Sequence, residues 1–172
     1  MDIQSFCAEH KDLDRYVKET MSQWESSNVT RNYLTLDVQG NCVGVFSLSA
    51  STLKDTTPEV RKEGNFPNGI QLPTIKIGRF VVDNSIRGKG VGREMLKKCI
   101  YLFIEASKTI GVVGLTVDAK DETDSQGRPI YGYYEKFGFK RLTSEPQDGC
   151  WPMILYTGKM KKQYPALFEQ EV

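Results

Sequence analysis

A run of alternating glycines, placed between an apolar strand and a long amphipathic helix, constrains the fold of this chain most strongly. Residues 73–83 predict a buried strand, and the segment RGKGVGR at 87–93 follows it. Apolar positions then recur every three or four residues over 91–107, which is typical of a helix with one buried face. Gly111 is the glycine expected beyond the end of that helix, and 112–117 predict another buried strand. Because crossovers of this kind are right-handed and join parallel strands, this stretch predicts one β-α-β unit.

The remaining segments predict a mixed sheet around that unit. A first helix begins at Asp12 or Asp14 and runs to about Ser27, and the polar stretch 52–72 predicts a functional loop with a helical turn. Strands are predicted at 33–38, 42–49, 139–142 and 153–160, and a short helix at 131–137. The expected fold class is therefore α/β, with antiparallel N-terminal strands, the β-α-β unit and closing C-terminal strands. Since no repeat or low-complexity segment interrupts the pattern, residues 1–172 are predicted to form a single domain.

Composition excludes several classes of protein. The formal charge is +1, so net charge neither requires nor excludes a nucleic-acid partner. The four cysteines lack metal-ligand spacing, and the only histidine is His10, which argues against a Ser-His-Asp triad and against a histidine-rich metal site. His10 lies in a charged stretch and is expected to be exposed, whereas Cys99 lies on the apolar helical stripe and is expected to be buried. We recognise no signal peptide and no membrane-spanning run, so we expect a cytoplasmic protein without a membrane partner.

The glycine-rich segment has the composition of an anion-binding turn. Glycine permits unusual backbone angles and lets a bulky anion approach the amide groups closely. Consecutive N–H groups and the positive end of the helix dipole favour phosphate there, and Arg87, Lys89 and Arg93 add charge. The spacing is GxGxG rather than the GxGxxG of dinucleotide-binding folds, and Lys89 is followed by Gly90 rather than by the Ser or Thr of a P-loop. On this segment alone, a merely flexible turn stays open as the alternative.

Two motifs in a fixed order give the segment a more specific meaning. Arg87, Gly90 and Gly92 occupy the defined positions of the acyl-CoA signature Arg/Gln-x-x-Gly-x-Gly/Ala. Residues 133–139, YYEKFGF, match an aromatic-Tyr-x-x-x-Gly-Phe motif that lies between a short helix and a strand. With this pair of motifs the chain resembles the GNAT superfamily of N-acetyltransferases. The resemblance covers roughly residues 30–160.

The resemblance implies an enzyme that uses acetyl-CoA as its cosubstrate and needs no metal. Backbone groups of the strand before the turn would contact the pantetheine arm, and amides of the turn would hold the pyrophosphate. The implied cofactor-binding residues are Phe80, Val81, Val82, Arg87, Gly88, Lys89, Gly90, Val91 and Gly92. A backbone N–H near Val82 would polarise the thioester carbonyl, a contact commonly worth ~2.7–4 kcal/mol of the barrier.

Tyr134 is the catalytic candidate that the resemblance implies. It matches the position whose hydroxyl faces the CoA sulfur, where a proton donor helps the thiolate to leave. Without the motif, packing on a tyrosine-rich helix would be the favoured interpretation of Tyr134. Tyr131 and Tyr133 are interpreted as packing or substrate-wall residues. No general base is obvious, because the nearest acidic residues, Asp83 and Glu135, lack a compelling spacing. An α-amino group, with a pKa of about 7.7–8.0, is partly neutral already and needs less help than a lysine side chain.

The acceptor amine is less constrained than the cosubstrate. The segments 6–16, 61–67, 77–83 and 118–120 resemble the TacT-like subgroup, bacterial toxins that acetylate the amino group of aminoacyl-tRNA. This resemblance implies charged tRNA as acceptor and allows for an antitoxin and a homodimer. Two alternatives stay open: an acetyltransferase for a small amine or a protein amino group, and a non-catalytic acyl-CoA-binding module.

Basic residues for a nucleic-acid face are limited in number. The candidates are Arg61, Lys62, Arg93, Lys97, Lys98, Lys136, Lys140 and Arg141. Arg93, Lys97 and Lys98 are equally well explained as the solvated face of the long helix. The sequence therefore predicts a tRNA surface mainly around the second motif.

Overall fold

The computed structural model describes residues 3–53 and 57–168 and has a mixed α/β architecture. Six strands form one sheet in the order β1-β2-β3-β4-β6-β5. The strands are β1 (Arg31–Leu36), β2 (Cys42–Leu53), β3 (Leu72–Val82), β4 (Gly114–Lys120), β5 (Lys140–Arg141) and β6 (Cys150–Tyr156). The α-helices are α1 (Lys11–Arg15), α2 (Met21–Ser26), α3 (Pro58–Gly64), α4 (Val91–Thr109), α5 (Ile130–Glu135) and α6 (Thr157–Gln163). The predicted α/β fold is confirmed, with α4 connecting the neighbouring strands β3 and β4.

Contacts between Cα atoms divide the chain into two compact units. The first unit comprises Met1–Ser49 and Ile77–Leu102, and the second comprises Ala50–Lys76 and Phe103–Val172. The prediction of a single domain over residues 1–172 stays a prediction.

The first unit begins with a helical segment that carries one local irregularity. α1 and α2 flank a π-helical turn at Tyr16–Thr20, so the run is continuous but widened at its centre by a turn that holds an extra residue. The N-cap is His10, which is half-buried rather than exposed, and the helix does not start at Asp12 or Asp14. Asp14 instead reaches back, and its carboxylate accepts hydrogen bonds from the backbone N–H groups of Ala8 (2.6 Å) and His10 (3.3 Å).

An antiparallel hairpin of β1 and β2 continues the first unit, as predicted. Its turn is closed by Asp37, whose carboxylate accepts from the backbone N–H groups of Gln39 (2.9 Å) and Asn41 (2.8 Å). Gly40 adopts a φ of 85° there, a conformation that side chains disfavour. The hydrogen bonds from Asn41, with those of the turn backbone, hold the pKa of Asp37 below its usual range.

The core of the first unit joins the N-terminal segment to the helices and strands. Buried members are Phe6, Ala8, Tyr16, Val17, Met21, Cys42, Val45 and Val81. Because Val81 belongs to this cluster, the last residues of β3 are fixed by apolar packing from the N-terminal segment.

α4 has the amphipathic character that its sequence predicts. Met95, Leu96, Cys99, Phe103 and Ile104 are buried, and the intervening basic and polar residues are exposed. Burial raises the pKa of the Cys99 thiol far above its ordinary range, so this cysteine is a packing residue, as expected.

The second unit contains a seven-residue helix within the stretch 52–72, where the sequence predicts a loop with a helical turn. β2 extends through Leu53, and residues 54–56 lie outside the described part of the chain. Thr57 caps α3 by accepting a hydrogen bond from the N–H of Val60 (3.4 Å), and Pro58 occupies the first turn. Asn65 ends the helix with a φ of 55°. Thus more of this stretch is regular than its polar composition indicates.

β6 is the central pairing strand of the second unit. It pairs antiparallel with β4 from Gly114↔Tyr156 to Lys120↔Cys150, and with β5 on its other side. Leu115, Met153 and Ile154 are fully buried there. The cores of β4 and β6 are therefore fixed by apolar residues, as predicted for buried strands.

The predicted strand at 153–160 is wrong over its second half. β6 ends at Tyr156, and α6 begins at Thr157, whose N–H donates to the carbonyl of Val113 (2.9 Å) and whose hydroxyl donates to that of Val112 (2.7 Å). Those bonds tether the chain just where it leaves the sheet. Met160 is buried in α6. A buried apolar residue at this position is compatible with a strand as well as with a helix, which explains the wrong prediction.

Candidate active site

The glycine-rich turn between β3 and α4 requires glycine for its backbone conformation. Gly88 has a φ of 78° and Gly90 a φ of 86°, in the left-handed region. A Cβ atom at either position would meet no atom within 4 Å, so space in front of the backbone is open. The turn therefore combines a conformation reserved for glycine with open space on the Cβ side of both glycines.

The same turn places the start of α4 where an anion is favoured. The N–H of Glu94 donates to the carbonyl of Gly90 at 3.2 Å, which makes Gly90 the N-cap. The N–H groups of Val91, Gly92 and Arg93 fall in the first turn, where a helix offers them no acceptor. With the positive end of the helix dipole, these groups form a site for a phosphate.

Asp83 holds the beginning of the turn in place. Its Oδ2 accepts from the N–H of Cys7 (2.7 Å), and its Oδ1 accepts from the N–H (2.9 Å) and hydroxyl (2.5 Å) of Ser85. In return, the N–H of Asn84 donates to the carbonyl of Cys7 at 2.8 Å. Burial by itself would raise the pKa of Asp83, but the hydrogen bonds from Ser85 and Cys7 outweigh it and hold the pKa below its usual value. Asp83 is thus a structural carboxylate, which speaks against its use as a general base.

Two of the predicted phosphate-binding cations contact backbone carbonyl groups of the protein. The guanidinium of Arg87 donates to the carbonyl of Ala8, and Nζ of Lys89 lies 3.3 Å from the carbonyl of Ser85. Both residues are exposed. Arg87 therefore fastens the N-terminal segment to the turn, and its contact with a cosubstrate stays a prediction.

The last residues of β3 alternate between two environments. Val81 is 4% exposed in the core of the first unit, whereas Phe80 and Val82 are half-buried. Beyond them, the N–H of Asp83 donates to the carbonyl of Val43 at 2.9 Å, which aligns the end of the strand with β2. The end of β3 therefore has a defined register relative to β2 where the glycine-rich turn begins.

Tyr134 occupies a packed position in the second unit. It is 6% exposed, and its ring makes edge-to-face contacts with the rings of Tyr133 (centroids 5.4 Å apart) and Phe139 (5.7 Å). The carbonyl of Tyr134 accepts from the N–H groups of Phe137 (2.9 Å) and Phe139 (3.3 Å). Gly138, with a φ of 89°, permits this sharp reversal from α5 to β5. The Tyr-x-x-x-Gly-Phe spacing therefore has a physical basis, because the glycine brings the phenylalanine back against the tyrosine.

Several cations predicted for a nucleic-acid face are already paired. Lys140 and Lys159 both donate to the carboxylate of Glu63, and these hydrogen bonds lower the pKa of Glu63 and raise that of Lys140. Arg61 donates to the carbonyls of Pro67 (2.5 Å) and Ile70 (3.0 Å) and so organises the segment after α3.

Arg141 also contacts other side chains of the second unit. Its Nε lies 3.1 Å from Oε1 of Glu135, and its guanidinium lies over the rings of Tyr131 (4.9 Å) and Trp151 (5.0 Å). An open groove of about 500 Å³ is lined by Glu135, Phe139, Lys140, Arg141, Thr143 and Ser144. Since Glu135 is committed to Arg141, it too is a poor candidate for a general base.

Sequence analysis missed three lysines of α6. Lys159, Lys161 and Lys162 lie on α6, whose first four residues the sequence placed in a strand, and the latter two are exposed. Their spacing in the run KMKKQ was the available signal, since three cations within four residues are typical of the solvated side of a helix.

Within residues 3–53 and 57–168, no group of three His, Cys, Asp or Glu side chains is arranged to hold a metal ion. In the same part of the chain, the helices are too short or too polar to cross a bilayer.

Comparison with known proteins identifies the family to which this geometry belongs. The model of the acetyltransferase (GNAT) domain matches residues 31–141, more than half of the chain. The chain belongs to the GNAT acetyltransferase family. The matched region of this GNAT domain contains both the glycine-rich turn and Tyr134. The cosubstrate of the domain is accordingly acetyl-CoA, as predicted.

Curated relatives and solved structures extend the likeness. The chain is 24% identical over 134 residues to a tRNA-acetylating toxin of Mycobacterium tuberculosis, which covers 78% of this chain and 77% of that protein. It is 22% identical over 138 residues to a probable toxin TacT of Sinorhizobium fredii, with 78% and 75% covered. Among solved structures, AtaT complexed with acetyl-methionyl-tRNAfMet has a TM-score of 0.76 at 19% identity, covering 95% of this chain and 92% of AtaT. A tyrosine-to-phenylalanine mutant of KacT has the same TM-score at 21% identity, with the same coverage. These structures share the fold of this chain.

Proposed function

We propose that this GNAT domain transfers the acetyl group of acetyl-CoA to the α-amine of aminoacyl-tRNA. The observation that carries the proposal is the sequence likeness to the tRNA-acetylating toxin of Mycobacterium tuberculosis over 78% of the chain. It is supported by the fold shared with AtaT, whose structure contains acetyl-methionyl-tRNAfMet. The site of action would be the cytoplasm, where charged tRNA is found.

The cosubstrate site that we propose consists mainly of backbone. Amides from Gly88 to Gly92 hold the pyrophosphate, and the backbone of Phe80, Val81 and Val82 pairs with the extended pantetheine arm. Arg87 and Lys89 add positive charge near the phosphates. The open space in front of Gly88 and Gly90 and their left-handed conformations support this assignment.

The proposed reaction is a direct transfer. The neutral amine attacks the thioester carbonyl, and the oxyanion of the tetrahedral intermediate is stabilised by a backbone N–H near Val82. Collapse of the intermediate breaks the carbon–sulfur bond, and Tyr134 donates its phenolic proton to the departing thiolate. The amine loses its extra proton to solvent, and the phenol is reprotonated from solvent.

The acidic residues of the site support an α-amine as nucleophile. Asp83 is occupied by Cys7 and Ser85, and Glu135 by Arg141, so neither is available to deprotonate an amine. An α-amino group with a pKa of about 7.7–8.0 is partly neutral near pH 7.5 without a dedicated base. A lysine side chain, with a pKa of about 10.4, would lack the base that it needs.

We also propose an antitoxin as protein partner. AtaT has been solved with the C-terminus of its antitoxin AtaR and acetyl-CoA, and KacT in a KacTA–DNA complex. The shared fold supports a corresponding partner for this chain, and a homodimer remains part of the proposal.

A small-amine acceptor is the second candidate. It is favoured by the pairing of Lys140 with Glu63 and of Arg141 with Glu135, which reduces the net positive charge around the second motif. The deciding experiment incubates the purified protein with labelled acetyl-CoA and with separate pools of charged tRNA, deacylated tRNA, polyamines and peptides at low salt. Label on charged tRNA alone is expected; label on polyamines or peptides, with charged tRNA untouched, would establish the second candidate.

A further inference from the structure

Arg79 is an arginine packed against two aromatic rings shortly before the end of β3. Its guanidinium carbon lies 5.2 Å from the centroid of the Tyr16 ring and 5.8 Å from that of Trp24. The two rings are themselves 5.5 Å apart, at an interplanar angle of 75°. A guanidinium that rests on ring faces keeps its in-plane N–H groups available for a planar or tetrahedral anion.

The rings that hold Arg79 are fixed by their own contacts. The hydroxyl of Tyr16 donates to Oδ1 of Asn32 at 2.6 Å, and Nδ2 of Asn32 donates to Oε2 of Glu25 at 2.8 Å. Tyr16 is also the first residue of the π-helical turn Tyr16–Thr20. Such turns are rare in proteins, and those that occur often lie at functional sites. The position of the guanidinium is therefore built into the first unit.

The charge of Arg79 is not balanced by a carboxylate within residues 3–53 and 57–168. In the described residues no carboxylate lies within ion-pair distance of its guanidinium. Nη1 donates to the carbonyl of Gly78 at 3.0 Å, which uses one of five N–H donors. The nearby Glu25 is committed to Arg31 at 2.9 Å, and its pKa is lowered chiefly by that hydrogen bond. A half-buried guanidinium that pairs with no carboxylate of the described residues favours an anionic ligand.

The position of Arg79 along β3 indicates which anion. Arg79 lies three positions before Val82, a span of ~10 Å at the rise of an extended strand. Between the α-amine of an aminoacyl-tRNA and the 5′-phosphate of its terminal nucleotide lie the ester, the ribose and a methylene group, which is a comparable span. An amine placed at the thioester beside Val82 thus puts that phosphate within reach of Arg79.

We propose that Arg79, held by Tyr16 and Trp24, binds the 5′-phosphate of the terminal nucleotide of charged tRNA. It thereby selects an amine attached to a nucleotide over a free amine. This inference rests on the proposed function, since it assigns a subsite for the same acceptor. The contact would be a charge-assisted pair of N–H···O bonds.

The test uses two short acceptors, a 3′-aminoacyl-amino-adenosine with a 5′-phosphate and the same compound without it. For the unsubstituted protein, the phosphate should raise kcat/KM by about 10- to 100-fold, the usual effect of a charge-assisted hydrogen bond. Arg79→Gln should remove that preference while leaving kcat/KM for the unphosphorylated compound and the Kd for acetyl-CoA unchanged. Arg79→Lys should retain only part of the preference, since it keeps the charge and loses the planar fork.

Arg15→Gln is the matched control. Arg15 lies in α1, is exposed, and is paired with Asp12 at 3.6 Å, so its loss should leave the preference intact. With intact charged tRNA, Arg79→Gln should also lower the slope of log KM against log salt by about one unit.

Three results would overturn the inference. The first is an unsubstituted protein that uses both short acceptors equally well, which needs no variant and so cannot be confused with misfolding. The second is an Arg79→Lys or Arg79→Gln protein that loses both acceptors equally, which marks a purely structural residue. The third is an unchanged preference in both variants. If charged tRNA is acetylated in any of these cases, only the Arg79 subsite fails; if charged tRNA is never acetylated, the proposed function fails with it.

Discussion

The glycine-rich turn and the basic region of the second unit are both candidate binding surfaces, yet they are built in different ways. In the turn, backbone conformation makes the site: Gly88 and Gly90 are left-handed and the first turn of α4 presents its N–H groups. In the basic region, side chains make the surface, and the single carboxylate of Glu63 already pairs with both Lys140 and Lys159. A site made of backbone is specified by local sequence, whereas a surface made of side chains depends on which distant residues meet.

The largest effect is expected from blocking the backbone site. Gly90→Glu should abolish acetyl-CoA binding, because it puts a side chain on a left-handed residue and a negative charge where the pyrophosphate lies. Calorimetry with acetyl-CoA measures it, on a variant whose circular dichroism and melting curve match those of the unsubstituted protein. Retained affinity in such a folded variant would remove the phosphate assignment of this turn.

The next largest effect concerns proton donation. Tyr134→Phe should lower kcat by ~10²–10⁴-fold, the usual span for a general acid, and leave the Kd for acetyl-CoA nearly unchanged. Tyr133→Phe is the control on the same helix and should matter much less. Near-normal kcat in Tyr134→Phe would assign the proton transfer to another group.

A moderate effect is expected from Asp83, which fixes the start of the turn. Asp83→Asn should weaken acetyl-CoA binding by roughly 10-fold, because an amide replaces a carboxylate that accepts bonds from Cys7 and Ser85. Since the folded pKa of Asp83 is lowered, the stability that its carboxylate contributes is present above the unfolded pKa of about 3.9 and is lost as pH falls through the folded value.

Melting curves can check the sign of this pH dependence. The Tm difference between the unsubstituted protein and Asp83→Asn should be largest from pH 5 upward and should shrink below about pH 4. If the Tm of the unsubstituted protein instead rises relative to that of Asp83→Asn on acidification, folding raises the pKa of Asp83, and the structural role of its carboxylate is contradicted.

The smallest effect tests the side-chain surface. Glu63→Gln releases Lys140 and Lys159 from their shared counter-ion, so KM for charged tRNA should fall by about two- to five-fold at low salt, a change of the size expected for exposed charges. Glu59→Gln is the control, since Glu59 is exposed on the same helix. If the Glu63 and Glu59 variants behave alike, this lysine pair does not face the acceptor.

The same contrast explains how far the sequence could be read. The β-α-β unit, the buried stripe of α4 and the left-handed glycines follow from local periodicity and from residues that have few alternatives. The ion pairs of the lysines could not be predicted in this way, because Lys140 and Lys159 are 77 and 96 residues away from Glu63 in the sequence. Residues 157–160 were assigned to a strand for a similar reason: the tether of Thr157 to Val112 spans 45 residues and leaves no local signal.

The candidate site divides along the same line. The positions of Gly90, Gly92 and Tyr134 could be taken from motifs, and the structure supplies the physical basis for two of them. The structural role of Asp83 could not be predicted, because its hydrogen-bond partner Cys7 lies 76 residues away in the sequence. The packing of Arg79 on the rings of Tyr16 and Trp24 could not be predicted either, because it joins the N-terminal helical segment to β3.

The most direct test of a backbone site for acetyl-CoA and a charged surface for the acceptor is one steady-state assay at several salt concentrations. Phosphate contacts release counterions, so KM for charged tRNA should rise steeply with salt, whereas KM for acetyl-CoA should move far less. Deacylated tRNA should inhibit with the same salt dependence as the KM of charged tRNA and should never be acetylated. Two results would contradict a backbone site for acetyl-CoA and a charged surface for tRNA. One is a parallel rise of both KM values with salt, and the other is a protein that binds acetyl-CoA but does not acetylate charged tRNA at the lowest salt concentration.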